Sequence, residues 1–320
     1  MWLLVIPSLS GAPNQDERVG VLVIAHGGTN RWDGMVRKAV RDASLDFSHE
    51  VVLGMGMHAH EVRQLQQLVN RLERRGISRI VVVPLLISSY SEVFRQYEYL
   101  FGLRKEPEWE EAGEPLDLEV PVVMGRALDD NPVVAQILLD RARELSRNPK
   151  EETVVIVAHG PNGDGDNGQW LAAMQKLGEW VQQVGGFREV RSFTIRDDAE
   201  KPIRDQAIRQ LREAVQHASQ QGRVLVVPLL LARGGVERKI PGMLAGLSYA
   251  WKGHTLLPHP KLVQWIADQA TELAQGGPSE MDASNSSTLR VPSGSSPERN
   301  ESKDSTLPSP TDAVVGESSQ

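Results

Sequence analysis

The segment VGVLVIAHGG, Val19 to Gly28, returns as TVVIVAHGPN, Thr153 to Asn162, so that His26 and His159 stand 133 positions apart at the same place in each copy. Two further blocks recur in the same order. RIVVVPLLI from Arg79 comes back as RVLVVPLLL from Arg223, and NPVVAQILLDRAREL from Asn131 as HPKLVQWIADQATEL from His259. Three ordered matches mark a tandem duplication, and its period lies far beyond the ~20–50 residues of a solenoid repeat. Each copy is long enough to bury a core of its own, which predicts two similar lobes facing one another across a cleft. Pro84 to Pro132 spans 48 positions while Pro228 to Pro260 spans 32, so the first copy carries 16 extra residues, the charged stretch around Lys105 to Asp117.

Within a copy, runs of apolar β-branched residues alternate with amphipathic spacing. Val21 to Ala25 has the length of a buried strand, and Trp32, Val36, Ala39 and Val40 recur at helical spacing through Ala43. A strand over Glu50 to Met55 follows, then a helix with Val62, Leu65, Leu68, Val69 and Leu72 on one side, closing at Gly76, then a strand over Ile80 to Ile87. This alternation predicts α/β architecture, with a parallel sheet in each lobe and helices on both faces. The expected organisation is an apolar leader over 1–18, a first lobe over 19–147, a second over 152–275, and a disordered Ser/Pro-rich tail over 276–320.

Forty per cent hydrophobic and 24% charged residues fit an ordinary globular chain. A net charge of −7 without any Lys/Arg-rich run excludes a nucleic-acid partner. The chain has no cysteine, which removes disulfides, thiolate nucleophiles and Cys-based zinc or iron–sulfur sites. Metal chemistry must therefore use histidine, carboxylate or thioether. No run reaches the ~18 apolar residues of a membrane span. The opening MWLLVIPSLSGA has no basic n-region and is short for an export signal, so a cytoplasmic location is expected, with export as the alternative.

Ligands of open parallel sheets bind beyond the carboxyl ends of the strands. His26 follows directly on one strand and Glu92 comes shortly after the third, 66 residues later in sequence but on the same rim. His159 and Glu237 occupy the corresponding loops of the second copy. Alone, His26 reads as a turn residue and Glu92 as a solvated helix-start carboxylate; recurrence of the His-Gly pair moves the reading toward function. Arg31, Arg95, Arg233, Arg238 and Lys239 are candidate cations beside this rim.

With these residues the chain resembles the class II chelatases, specifically their two-repeat sirohydrochlorin chelatases, over about Val19 to Gln275. His26-Gly27 and His159-Gly160 match the family's strand-ending His-Gly pair. Val83-Pro84-Leu85 and Val227-Pro228-Leu229 match a later strand, and Pro258-His259-Pro260 a closing segment. Eight residues after the proline, where the family places a second metal-site histidine, this chain has Glu92 in one copy and Val236 in the other, with Glu237 adjacent. The resemblance implies insertion of Co²⁺, Ni²⁺ or Fe²⁺ into sirohydrochlorin or a similar macrocycle, without an organic cofactor. It implies His26 and Glu92 as catalytic residues, and His26, Glu92, His159 and Glu237 as metal ligands. His58, Arg95 and Arg233 are the candidate macrocycle contacts, and the internal pseudo-dimer is expected to act as a monomer. A non-catalytic metal- or tetrapyrrole-binding protein on the same fold is the alternative.

The chemistry fits the residue types. A tetrapyrrole loses two N–H protons as a divalent metal enters, so the site needs an imidazole ligand for the metal and a proton acceptor. It must also stay open, since a closed four-ligand shell would trap the metal. GMGMHAHEV, Gly54 to Val62, is expected to hold core methionines Met55 and Met57, with His58 and His60 toward the pocket or loop. GDGDNG, Gly163 to Gly168, lacks the acidic residue of a calcium loop at Gln175 and reads as a lid or linker.

Overall fold

A computed structural model describes residues 18–276. The expected leader and tail therefore lie outside the described residues, apart from Arg18 and Gly276. The first copy runs β1 (Val19–Ala25), α1 (Asn30–Asp42), β2 (Ser48–Leu53), α2 (Ala59–Glu73), β3 (Arg79–Pro84), α3 (Glu92–Leu100), β4 (Val122–Met124) and α4 (Pro132–Arg143). The second runs β5 (Glu152–Ala158), α5 (Asp164–Gly185), β6 (Glu189–Thr194), α6 (Lys201–Gln221), β7 (Arg223–Leu229), α7 (Gly235–Met243) and α8 (Pro260–Ala274). Both sheets are parallel, in the orders β2-β1-β3-β4 and β6-β5-β7. Among the described residues no helix is long and apolar enough to cross a membrane.

The central strands are buried on both faces, as a continuous apolar run requires. Along β1, Val21 and Val23 point to one side and Leu22 and Ile24 to the other, all fully buried. The same division recurs on β5, where Val154 and Ile156 oppose Val155 and Val157. Each such side chain contributes about 1.5–3 kcal/mol through burial. Val21, Val23, Val154 and Ile156 belong to one continuous core between the sheets, while Leu22 and Ile24 face a core private to the first lobe, and Val155 and Val157 one private to the second.

That shared core is closed by exchanged helices. α4, from the first copy, packs on β7 of the second sheet, and α8 packs on β3 of the first. The exchange is mirrored in hydrogen bonds: Arg79 Nη2 donates to the Ala274 carbonyl at 2.6 Å, and Arg223 Nη2 donates to the Leu145 carbonyl at 3.2 Å. The two repeats are therefore mutually dependent in packing.

Several expected boundaries move. The second strand stops at Leu53 because Gly54 and Gly56 (φ 159° and 69°) break the extended run, and the third stops at Pro84, with the Leu85 N–H still donating to the Ile24 carbonyl at 2.8 Å. The short β4, beyond the extra segment, was not anticipated; its three residues pair with Ile80 to Val82.

Candidate functional site

Both His-Gly turns require glycine. Gly27 and Gly160 have φ of 79° and 77°, a left-handed conformation that glycine enters at no steric cost. A Cβ on Gly160 would lie 2.5 Å from the Thr194 Cβ, and one on Gly27 3.1 Å from the Gly54 nitrogen. Each turn fixes its histidine in the same way. His26 Nδ1 lies 2.9 Å from the Gly27 carbonyl oxygen, and His159 Nδ1 lies 2.7 Å from that of Gly160. A carbonyl only accepts, so Nδ1 carries the proton and donates, leaving Nε2 as the outward nitrogen in both.

The two turns open into one cleft of about 760 Å³ between the lobes. Trp32, Trp109, Trp170, Met55, Met57 and Leu230 supply apolar wall, and His26, Glu92, His159, Asp198 and Glu237 supply its titratable groups. Ser91 caps α3 by accepting from the Phe94 N–H at 3.2 Å, which sets Glu92 in the first helical turn at the rim. From there its Oε1 accepts from the Asn162 N–H of the second lobe at 3.1 Å. Trp170 Nε1 donates to the Tyr90 carbonyl at 2.9 Å, a second bond across the lobes.

The second-lobe side of the cleft holds a feature that sequence reasoning missed. His159 Nε2 lies 3.2 Å from Asp198 Oδ2, and among the described residues His159, Asp197 and Asp198 form the group whose ligand atoms all lie within 4.8 Å of one another. Burial opposes the charged form of His159, but the Asp198 hydrogen bond and the Gly160 carbonyl outweigh it, so its pKa is raised. The same His159 hydrogen bond lowers Asp198, and Lys239 and His26 add to it. Asp197 is buried and paired with Lys239, whereas the Asp198 side chain is 70% exposed. The neighbouring Arg196 has φ of 50°, an unusual conformation for a non-glycine residue. Its N–H donates to the His159 carbonyl at 2.7 Å, and its guanidinium reaches the Pro161 and Asn162 carbonyls and Asp164. It thereby ties the end of β6 to the His159 turn. The available signal was a pair of aspartates three and four residues past a strand end, at IRDD, Ile195 to Asp198.

Other expected site residues fall elsewhere. His58 is exposed at the N-cap of α2, stacked on His60 with ring centroids 5.7 Å apart, and does not line the cleft. Met55 and Met57 do line it, although Met55 also packs against the core as expected; the strand has already ended, so alternation no longer governs them. Arg95 is not open to a substrate carboxylate, because it pairs with Glu108 and Asp166, partners that hold its pKa above the ordinary arginine value. Arg233 stands beside the cleft, its Nε 4.0 Å from Glu237 Oε1. Glu237 lines the cleft but is buried, and its Oε2 accepts from the Gly234 N–H at 2.7 Å, closing the N-terminus of α7. Gly163 to Gly168 is neither lid nor linker; it largely forms the first turn of α5.

Two parallel α/β lobes, each offering a His-Gly turn to a common cleft, define the architecture of a class II chelatase. The chain belongs to the CbiX family, whose sequence profile matches twice, over residues 20–145 and 153–273. A sirohydrochlorin cobaltochelatase of Methanopyrus kandleri is 22% identical over 139 residues, spanning 39% of this chain and 96% of its own length. One of Methanococcoides burtonii is 22% identical over 130 residues, 40% of this chain and 98% of its own. Among solved structures, SirB from Bacillus subtilis with Fe³⁺ superimposes with a TM-score of 0.57 at 15% identity, covering 80% of this chain and 96% of that one. Each of these two relatives is thus matched along nearly its whole length by less than half of this chain.

Proposed function

We propose that the protein is a tetrapyrrole metal chelatase that inserts Co²⁺, Ni²⁺ or Fe²⁺ into sirohydrochlorin or a similar macrocycle. The observation that carries this reading is the pair of Nδ1-anchored histidines, one from each lobe, on a single tryptophan-walled cleft with carboxylates beside them. The apolar walls suit the faces of a flat ring, and the open polar rim suits a metal in transit. The family membership and the names of the two cobaltochelatase relatives support the same reading.

The reaction exchanges one M²⁺ for two pyrrole protons. His26 presents Nε2 to the cleft and serves as the metal's imidazole ligand, with Glu92, which lines the same cleft, as the carboxylate that balances its charge and accepts a proton. His159 works differently. With Nδ1 donating to Gly160, its Nε2 faces a carboxylate that also only accepts, so a cation must lie between them. With a proton in that place, the His159–Asp198 pair would pass protons away from the macrocycle as the metal enters.

Purified protein, sirohydrochlorin and each of Co²⁺, Ni²⁺ and Fe²⁺ test the reading through the absorbance change on metallation. The expected result is insertion well above the uncatalysed rate for at least one metal, lost in His26→Ala. Tight binding of metal or macrocycle with no acceleration by any of the three would instead support a non-catalytic binding protein.

A further inference from the structure

The extra residues of the first copy place a tryptophan on the cleft wall that the second copy does not duplicate. Trp109 lines the cleft and, like Met55, packs against the core private to the first lobe. Its segment is held from beneath by Gln96, fully buried, whose side-chain oxygen accepts from the Glu108 and Trp109 N–H groups at 2.9 and 3.2 Å while its amide donates to the Gly56 carbonyl at 3.0 Å. The adjacent Arg95 grips the Glu108 carboxylate through Nε at 2.8 Å and Nη2 at 2.9 Å, and Nη1 reaches Asp166 on α5 of the other lobe at 2.9 Å. One guanidinium thus joins the insert, the first lobe and the second. Its side chain is only 21% exposed, and its bidentate geometry sets it apart from an ordinary surface pair.

We propose that the insert is a substrate-positioning element: Trp109 packs against the macrocycle, and Arg95, as a positioning residue, holds the insert and the opposite lobe at a fixed separation. The macrocycle part rests on the chelatase reading; the clasp rests on contacts alone. A flat ring gains packing from an aromatic wall only when that wall sits at van der Waals distance. A small hydrated metal ion makes no such demand. Loosening the wall should therefore weaken use of the macrocycle and leave use of the metal alone.

Hydrogen exchange over residues 105–117 and steady-state kinetics of the full chain test this together. Arg95→Gln should speed exchange of the insert and raise the macrocycle KM about five- to tenfold, with kcat and metal KM held. Asp166→Asn, which removes only the bond between lobes, should give a smaller shift in the same direction. Trp109→Leu should reproduce the KM effect, and Trp109→Phe should restore most of it. Unchanged exchange in Arg95→Gln overturns the clasp, and an unchanged macrocycle KM in Trp109→Leu overturns the positioning role. If the wild-type chain inserts no metal at all, the chelatase reading has failed; exchange still decides the clasp, and macrocycle titration of wild type against Trp109→Leu still decides the wall.

Discussion

The two lobes use one backbone device for two kinds of side chain. In both, a strand delivers a histidine to a left-handed glycine whose own carbonyl anchors Nδ1. Beyond that turn they part. Register places Leu53 and Thr194 opposite Ala25 and Ala158, so that counting four residues onward puts Met57 in the first lobe where Asp198 stands in the second. His26 lies open to the cleft, while His159 is half-buried against a carboxylate. Glu92 begins its helix with a carboxylate at the rim, while Glu237 sits deeper and caps its helix. Duplication kept the turn that the backbone needs and let its surroundings diverge, leaving an open imidazole on one side and a hydrogen-bonded imidazole–carboxylate pair on the other.

That division makes the first lobe the side where substitutions should cost most. His26→Ala and Glu92→Gln are each expected to lower the insertion rate by about 10²–10⁴-fold, the range for losing a catalytic ligand or general base. His26 is exposed, so its removal should leave the melting temperature close to that of the wild type. Near-normal turnover in a folded His26→Ala protein would move the working site to the second lobe and invert the comparison.

Asp198→Asn comes next. The expected loss is about 10–100-fold, as for a carboxylate that orients a working histidine, and the pH profile should separate this role from a packing role. With its pKa raised, His159 sheds its Nε2 proton only at higher pH than a free imidazole. The rate should therefore rise with pH through that step, and Asp198→Asn should shift the rise toward lower pH. Stability runs the other way: the ion pair contributes fully below the unfolded histidine pKa, about 6.5, and its contribution fades as pH climbs through the raised folded value. A pH–rate profile that Asp198→Asn leaves in place would show that this carboxylate does not govern His159.

The repeats made the first lobe's histidine legible. A strand of buried β-branched residues running into His-Gly twice identifies both the sheet and the edge where the cleft opens. Asp198 escaped because no partner in the first copy repeats it, and an aspartate in a loop is ordinary. β4 escaped because three residues after a proline carry too little pattern to separate strand from coil. The exchange of α4 and α8 between sheets is invisible in principle to periodicity, which says that a helix has an apolar face and not which sheet will cover it. Arg95 was misjudged for a related reason: its partners, Glu108 and Asp166, are distant in sequence and belong to two different segments.

The smallest effect should come from Glu237, and its character matters more than its size. If this residue were the second lobe's equivalent of Glu92, Glu237→Gln would cut turnover as deeply. Its geometry points elsewhere: the carboxylate accepts from the Gly234 N–H at 2.7 Å and lies 4.0 Å from Arg233, which is what a helix start with an unpaired donor and a nearby cation calls for. Gln keeps an oxygen for that N–H but loses the charge that favours the helix N-terminus. The expected result is a loss of about 1 kcal/mol in unfolding free energy, with turnover reduced no more than a few-fold. Chemical denaturation beside the metallation assay reads both quantities in one preparation. A large loss of turnover at unchanged stability would make Glu237 a working carboxylate after all, and the two lobes chemically equal.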